Sequence, residues 1–176
     1  MERRLAAAGG PADPVSTRAA REAYLAEFET PAVEDGGGSG YRTFPDVVPA
    51  MRRLRAAGIL TAVVSNADDD VTALCTRLAF AHEMDLIVTS AIVGWEKPDA
   101  RTFRAALDPL GVDATAALHI GDQPRSDVVG ALAAGMRAAL IDRYARHAHA
   151  DHDVPVFRGL DALVEHVLGD GSRIPA

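Results

Sequence analysis

The sequence predicts an α/β fold, a Rossmann-like parallel sheet with helices on both faces. Two observations carry that prediction. From Asp46 onward, short apolar runs rich in β-branched residues alternate with segments of helical periodicity. Alternation of that kind implies parallel strands joined by crossover helices that cover both faces of the sheet. Two polar clusters, Ser65-Asn66 and Gly121-Asp122, fall where predicted strands end. In open parallel sheets, ligands bind beyond the carboxyl ends of the strands.

The elements follow in order. Residues 1–44 form a region of different texture, rich in Ala, Glu and Arg. Within it Ser16 can cap a helix over 16–29, with Ala20, Tyr24, Leu25 and Phe28 forming one stripe. The run Gly36-Gly37-Gly38-Ser39-Gly40 follows no apolar strand and opens no helix, so it reads as a flexible linker and not a phosphate cradle. Residues 45–176 are the regular part. Asp46 is placed to cap a helix over 46–57 that Gly58 stops. A buried strand follows over 59–64, then a helix from Asp69 or Asp70 over 69–78 and a short strand over 86–89. Pro98 or Asp99 opens a helix over 98–107, with a turn at 108–111. A strand over 116–120, a helix over 126–134 and a strand over 138–141 come next, and segments 154–157 and 160–168 close the chain.

Composition narrows the function classes. A chain of 176 residues with 48% hydrophobic and 24% charged residues is an ordinary globular domain with a core of its own. A formal net charge of −7 argues against nucleic-acid binding, which wants a basic face. No apolar run approaches the roughly 20 residues that span a bilayer, and the start, Met1 to Gly10, lacks the apolar core of a signal peptide. Cys75 is the sole cysteine and can make no internal disulfide, so a cytoplasmic protein is expected.

Lys97 is the most informative residue. It is the only lysine, against 17 arginines. An ammonium is a compact point charge and a guanidinium a wide fork, so a narrow pocket holding one anionic oxygen can demand lysine. Ser65-Asn66 offers a hydroxyl and exposed N–H groups at a strand end, although both residues also suit a plain turn. Leu118-His119-Ile120-Gly121-Asp122 delivers a carboxylate at a strand tip, and Asp127 follows five residues later in the first turn of a helix. Two hard oxygen donors beside a phosphate suit Mg²⁺, which keeps waters and takes few protein carboxylates. Gly130, Ala131 and Gly135 are small enough for close helix–sheet approach. Other polar features carry less. Asp68, Asp69 and Asp70 are acids expected at a helix start, His147, His149 and His152 read as a solvated loop, and Trp95, Phe103 and Cys75 read as packing residues.

With these clusters in order, the chain resembles the haloacid-dehalogenase-like (HAD) hydrolase superfamily, largely phosphatases. The matching words are VVSNAD at 63–68, VGWEKPDARTF at 93–103 and HIGDQPRSDVVGALAAGM at 119–136, and the similarity covers about residues 42–145. By that resemblance Ser65 and Asn66 bind the phosphoryl group, Lys97 binds it and takes part in catalysis, and Asp122 with Asp127 holds Mg²⁺. The implied substrate is a small phosphorylated metabolite, and residues 1–44 correspond to part of a helical cap. The family's first motif, Asp-x-Asp-x-Thr, supplies the nucleophile from a central strand. No such pair is found over 1–62, and Asp13, Glu34 and Asp35 stand in polar or Gly/Pro-rich text. The expectation is therefore a chain lacking its first strand at the N-terminus, from a phosphatase that works through an aspartyl-phosphate. A non-catalytic phosphate-binding or interaction domain is the alternative, and a haloacid dehalogenase a weaker one.

Overall fold

The computed structural model describes residues 41–147 and 153–169. The expected helix over 16–29, the glycine-rich linker, Asp13, Glu34, Asp35, His149 and His152 lie outside the described residues. Helix α1 (Val47–Ala56) leads to strand β1 (Ala62–Ser65), the short helix α2 (Thr72–Arg77) and strand β2 (Leu86–Thr89). Helix α3 is a single turn (Ser90–Val93), and α4 runs over Ala100–Leu110. Strand β3 (Leu118–Gly121) feeds α5, which opens as a wide π turn (Pro124–Val129) and continues as α-helix over Gly130–Ala133. Strands β4 (Arg137–Ile141) and β5 (Val156–Phe157) precede the closing helix α6 (Leu160–Gly169). The α/β character predicted from the sequence is what the chain adopts, with every strand pair parallel.

Element ends differ from expectation for local reasons. Strand β1 starts at Ala62, three residues later than predicted, because the chain first closes α1. Gly58 takes φ +77°, and the Ile59 N–H returns to the Leu54 carbonyl at 3.0 Å. Ile59 then packs beside α1 in the core and is not part of the ladder. Helix α4 runs on to Leu110, beyond the predicted end at 107, with Pro109 in its last turn, where few backbone bonds remain to lose. Gly111 at φ +64° ends it. The π opening of α5 was not predicted.

Among the described residues the sheet is in two pieces, β1–β2 and β3–β4–β5, with no ladder between β1 and β3. Helices hold the pieces together. Strand β4 shows the period of two: Ala138 and Leu140 pack with Phe103, Val128 and Ala131 on one face, while Ala139 packs with Ala50, Leu54, Leu163 and Val164 on the other. Helix α4, which carries Phe103, also packs on β1 and β2. Helix α1 reaches the first piece from the other face through Arg52 Nε to Glu83 Oε1 at 2.7 Å and Arg55 to the His82 carbonyl at 2.8 Å. No helix among the described residues is long and apolar enough to cross a membrane.

Asp46 corrects one sequence expectation. It precedes α1, but its carboxylate makes no cap bond there. Instead it accepts both Arg143 guanidinium nitrogens at 2.9 Å and the Leu160 N–H of α6 at 2.8 Å. A residue chosen for one helix start thus serves another, 114 positions away. Burial works to raise its pKa, but the Arg143 and Leu160 hydrogen bonds outweigh it and hold the carboxyl below its ordinary value. A carboxyl depressed in this way stabilises the fold above its unfolded value of about 3.9, and the contribution fades as pH falls through the lower folded value. Asp46→Ala is expected to cost about 2 kcal/mol at pH 7, the scale of hydrogen bonds to a charged group. Urea midpoints of the two proteins should converge below about pH 4; a gap unchanged by acid would contradict this account.

Candidate functional site

The site is assembled at the carboxyl ends of β1 and β3. Beyond Ser65 the chain turns, and Ser90, at the start of α3, ties down that turn: its hydroxyl donates to the Ala67 carbonyl and accepts the Ala67 N–H, both at 2.9 Å. Asn66 lies between. Its Oδ1 accepts the Lys97 backbone N–H at 2.8 Å, and its Nδ2 donates to the Lys97 carbonyl at 2.9 Å.

The lysine loop follows α3, which ends at Gly94 with φ +80°. Asp99, one of the two residues expected to open this helix, caps α4 by accepting the Arg101 N–H at 2.9 Å. The Arg101 guanidinium stacks over the Trp95 ring, so Trp95 packs against protein although partly exposed. Phe103 is fully buried.

From that loop Lys97 Nζ reaches Asp127 Oδ1 at 2.6 Å, with the two side chains only 12% and 4% exposed. The same oxygen lies 3.1 Å from His119 Nε2, while Oδ2 accepts the Gln123 N–H at 2.9 Å. His119 is held edge-on to Phe103, with ring centroids 5.0 Å apart. Burial works to raise the Asp127 pKa, but the His119 hydrogen bond and the Lys97 charge outweigh it and keep the carboxyl far below the usual carboxylate range. The group is therefore an anion across the whole physiological pH range.

Two glycines make this geometry possible through space, not through backbone freedom. A Cβ on Gly121 would fall onto the Asp127 carboxyl. A Cβ on Gly130 would stand 2.8 Å from Pro98 Cα and 3.1 Å from Phe103 Cε2, so the missing side chain lets α5 approach the lysine loop. The wide turn of α5, in which the Asp127 and Val128 N–H groups both point to the Gln123 carbonyl, lies directly above Gly121. Single-turn π segments inside helices are frequent at functional sites.

Of the residues singled out from sequence, Lys97 and Asp127 meet directly, and Asn66 joins them through the Lys97 main chain. Ser65 ends β1 beside this turn, paired in register with Thr89. Asp122 stands exposed at the tip of β3, next to Gly121 in the chain. His119 lies inside one of the matching words, and the sequence assigns it no role of its own. Its signal was present, since residues 119 and 121 share one face of a strand and so look toward the same helix. Among the described residues no three His, Cys, Asp or Glu side chains gather into a metal cage. Asp70 accepts the N–H and hydroxyl of Thr72 at 2.8 and 2.6 Å, just ahead of α2, where an acid was expected. The His147 N–H goes to Asp142 at 3.2 Å, part of a loop folded over that buried carboxylate.

Known proteins resemble more than half of this chain. A family model described as haloacid dehalogenase-like hydrolase matches residues 10–135. The phosphoserine phosphatase of Thermus thermophilus is 36% identical over 104 residues, covering 58% of this chain and 42% of that protein. The glyceraldehyde 3-phosphate phosphatase of Methanothermobacter thermautotrophicus is 32% identical over 134 residues, covering 70% of this chain and 58% of that one. The chain thus spans about half the length of the curated relatives it matches. Among solved structures, a HAD phosphatase from Thermococcus onnurineus matches with TM-score 0.68 and 27% identity, covering 72% of this chain and 58% of that one. A 2-haloacid dehalogenase from Pseudomonas syringae matches with TM-score 0.63 and 34% identity, covering 73% and 54%.

Proposed function

The chain belongs to the haloacid dehalogenase-like hydrolases, and from that premise we propose that it carries the phosphate- and metal-handling parts of a Mg²⁺-dependent phosphatase for a small phosphorylated metabolite, working in the cytoplasm. The observation that carries the reading is the buried Lys97–Asp127 pair at 2.6 Å, joining the β1 side of the site to the β3 side. Lys97 neutralises a phosphoryl oxygen, and Ser65 offers its hydroxyl to another. Asp127, locked by Lys97, His119 and the Gln123 N–H, fixes where the ammonium stands.

The donor set suits Mg²⁺. It contains only carboxylate oxygens, one exposed (Asp122) and one buried (Asp127), and Mg²⁺ commonly takes one or two carboxylates with the rest of its shell water and phosphate. Asp122 and Asp127 would hold the ion, which supplies charge neutralisation at the transferring group. Among the described residues of this site the phosphorus-attacking aspartate has no counterpart. We place it on a further strand seated between β1 and β3, at the ends of the two sheet pieces, with residues 45–176 as the core that receives it and residues 1–44 as part of a cap. The half-exposed strands on either side of that seam support the placement.

The 176-residue chain is accordingly expected to hydrolyse p-nitrophenyl phosphate with Mg²⁺ little faster than a Lys97→Ala control. Robust, Lys97-dependent turnover would overturn the placement of the nucleophile. A phosphate-binding module without turnover is the second reading, favoured by that missing acid. It predicts Lys97-dependent binding of inorganic phosphate, measured by calorimetry, with no hydrolysis in any longer form of the protein.

A further inference from the structure

Asn66 stands next to the phosphoryl-binding serine in sequence and was expected to share its task. The geometry points to another one. Its amide spans the main chain of Lys97, accepting the N–H at 2.8 Å and donating to the carbonyl at 2.9 Å across 31 residues of sequence. A single side chain thus satisfies both backbone groups of the residue that bears the site's ammonium. The other end of that lysine is fixed by Asp127, on α5 of the second sheet piece. The turn carrying Asn66 is itself fastened by Ser90 through two hydrogen bonds to Ala67. Lys97 therefore hangs between two anchors, one at its backbone and one at its Nζ. Only the first comes from the β1 side, where the phosphoryl-binding hydroxyl of Ser65 is.

We propose that Asn66 is a positioning residue: it sets the place of the Lys97 ammonium relative to Ser65 through the Lys97 backbone, and contributes to anion binding only by way of Lys97. The proposal deepens the phosphatase reading and rests on it for the identity of the anion, but the bracket itself does not. An amide is a side chain that fits, because it offers an acceptor and a donor side by side in one rigid plane. Aspartate keeps only the acceptor, and alanine keeps neither.

The single lysine gives an unobstructed test, since ¹⁵N-lysine labelling reports one backbone amide. In the ligand-free 176-residue chain, Asn66→Ala is expected to speed hydrogen exchange at the Lys97 amide by about tenfold or more. Asn66→Asp, which retains the acceptor, should keep most of the protection; if the alanine protein does not fold, Asn66→Ser, whose side chain is too short to bracket the Lys97 main chain, is read in its place. Exchange unchanged in both variants overturns the proposal. Inorganic phosphate binding then separates positioning from direct contact through a double-mutant cycle. In the Lys97→Met, Asp127→Asn background, which strands no buried charge, adding Asn66→Ala should leave the residual phosphate affinity within about twofold; a further large loss would make Asn66 a ligand in its own right and overturn the proposal. A chain that binds no phosphate at all removes the proposed function and leaves the exchange result to decide the bracket.

Discussion

Lys97→Ala is expected to cost the fold about 3–5 kcal/mol at neutral pH, because it strands the Asp127 carboxylate in the interior. Asp127 is 4% exposed and its Oδ1 receives both the ammonium and His119. Without the ammonium the buried charge keeps its desolvation penalty and loses its nearest compensation. Against a typical domain stability of about 5–15 kcal/mol, that loss is large enough to move the urea midpoint far down. The sign with pH follows from the depressed Asp127 pKa. Its stabilising contribution is present above the unfolded value of about 3.9 and disappears as pH falls through the folded value, so the gap between wild type and variant should narrow below about pH 4. Replacing both partners, Lys97→Met with Asp127→Asn, is expected to recover part of the loss, since no unpaired charge remains. A Lys97→Ala protein within about 1 kcal/mol of wild type would mean that the pair is far better solvated than its burial implies.

Gly121→Ala should be nearly as damaging for one added methyl group. The new Cβ would occupy the position of the Asp127 carboxyl, and the strand cannot yield because β3 is bonded to β4 from Leu118 through Gly121. Asp127 must therefore move, and it would lose contacts to Lys97, His119 and the Gln123 N–H together. Overpacking and the broken charge-assisted bonds together put the loss at about 2–4 kcal/mol. Phosphate binding should fall with it, because the ammonium loses its anchor. Gly169→Ala is the matched control, since nothing lies within 4 Å of a Cβ there, and it should change thermal stability little. Equal behaviour of the two alanine variants would contradict the steric account.

Much of the fold was legible because it rests on local rules. Strand β2 has the predicted bounds, and strands β3 and β4 lie within two residues of theirs, since short β-branched runs between turns admit few alternatives. The opening of α4 at Pro98 or Asp99 and the stop at Gly58 were readable from equally local signals. Asp46 was misread because an Asp before an apolar helix looks like its cap; that its carboxylate would serve Leu160 and Arg143 depends on where α6 packs. The widened turn of α5 was equally out of reach. It accompanies a carboxylate laid over Gly121, a contact made only once strand and helix are side by side.

By itself the sequence determined the alternating α/β architecture and the residue types at the strand ends, because periodicity and turn chemistry are properties of neighbours along the chain. It also marked Lys97 by making it the only ammonium side chain. Tertiary structure alone decided the partnerships: Lys97 with Asp127 across 30 residues, Asn66 with the Lys97 backbone across 31, His119 as second partner of the same carboxylate. Those depend on which faces of β3, α4 and α5 come together, and on the two glycines that let backbone and side chain approach. Packing in three dimensions sets such distances, and no spacing in one dimension encodes them.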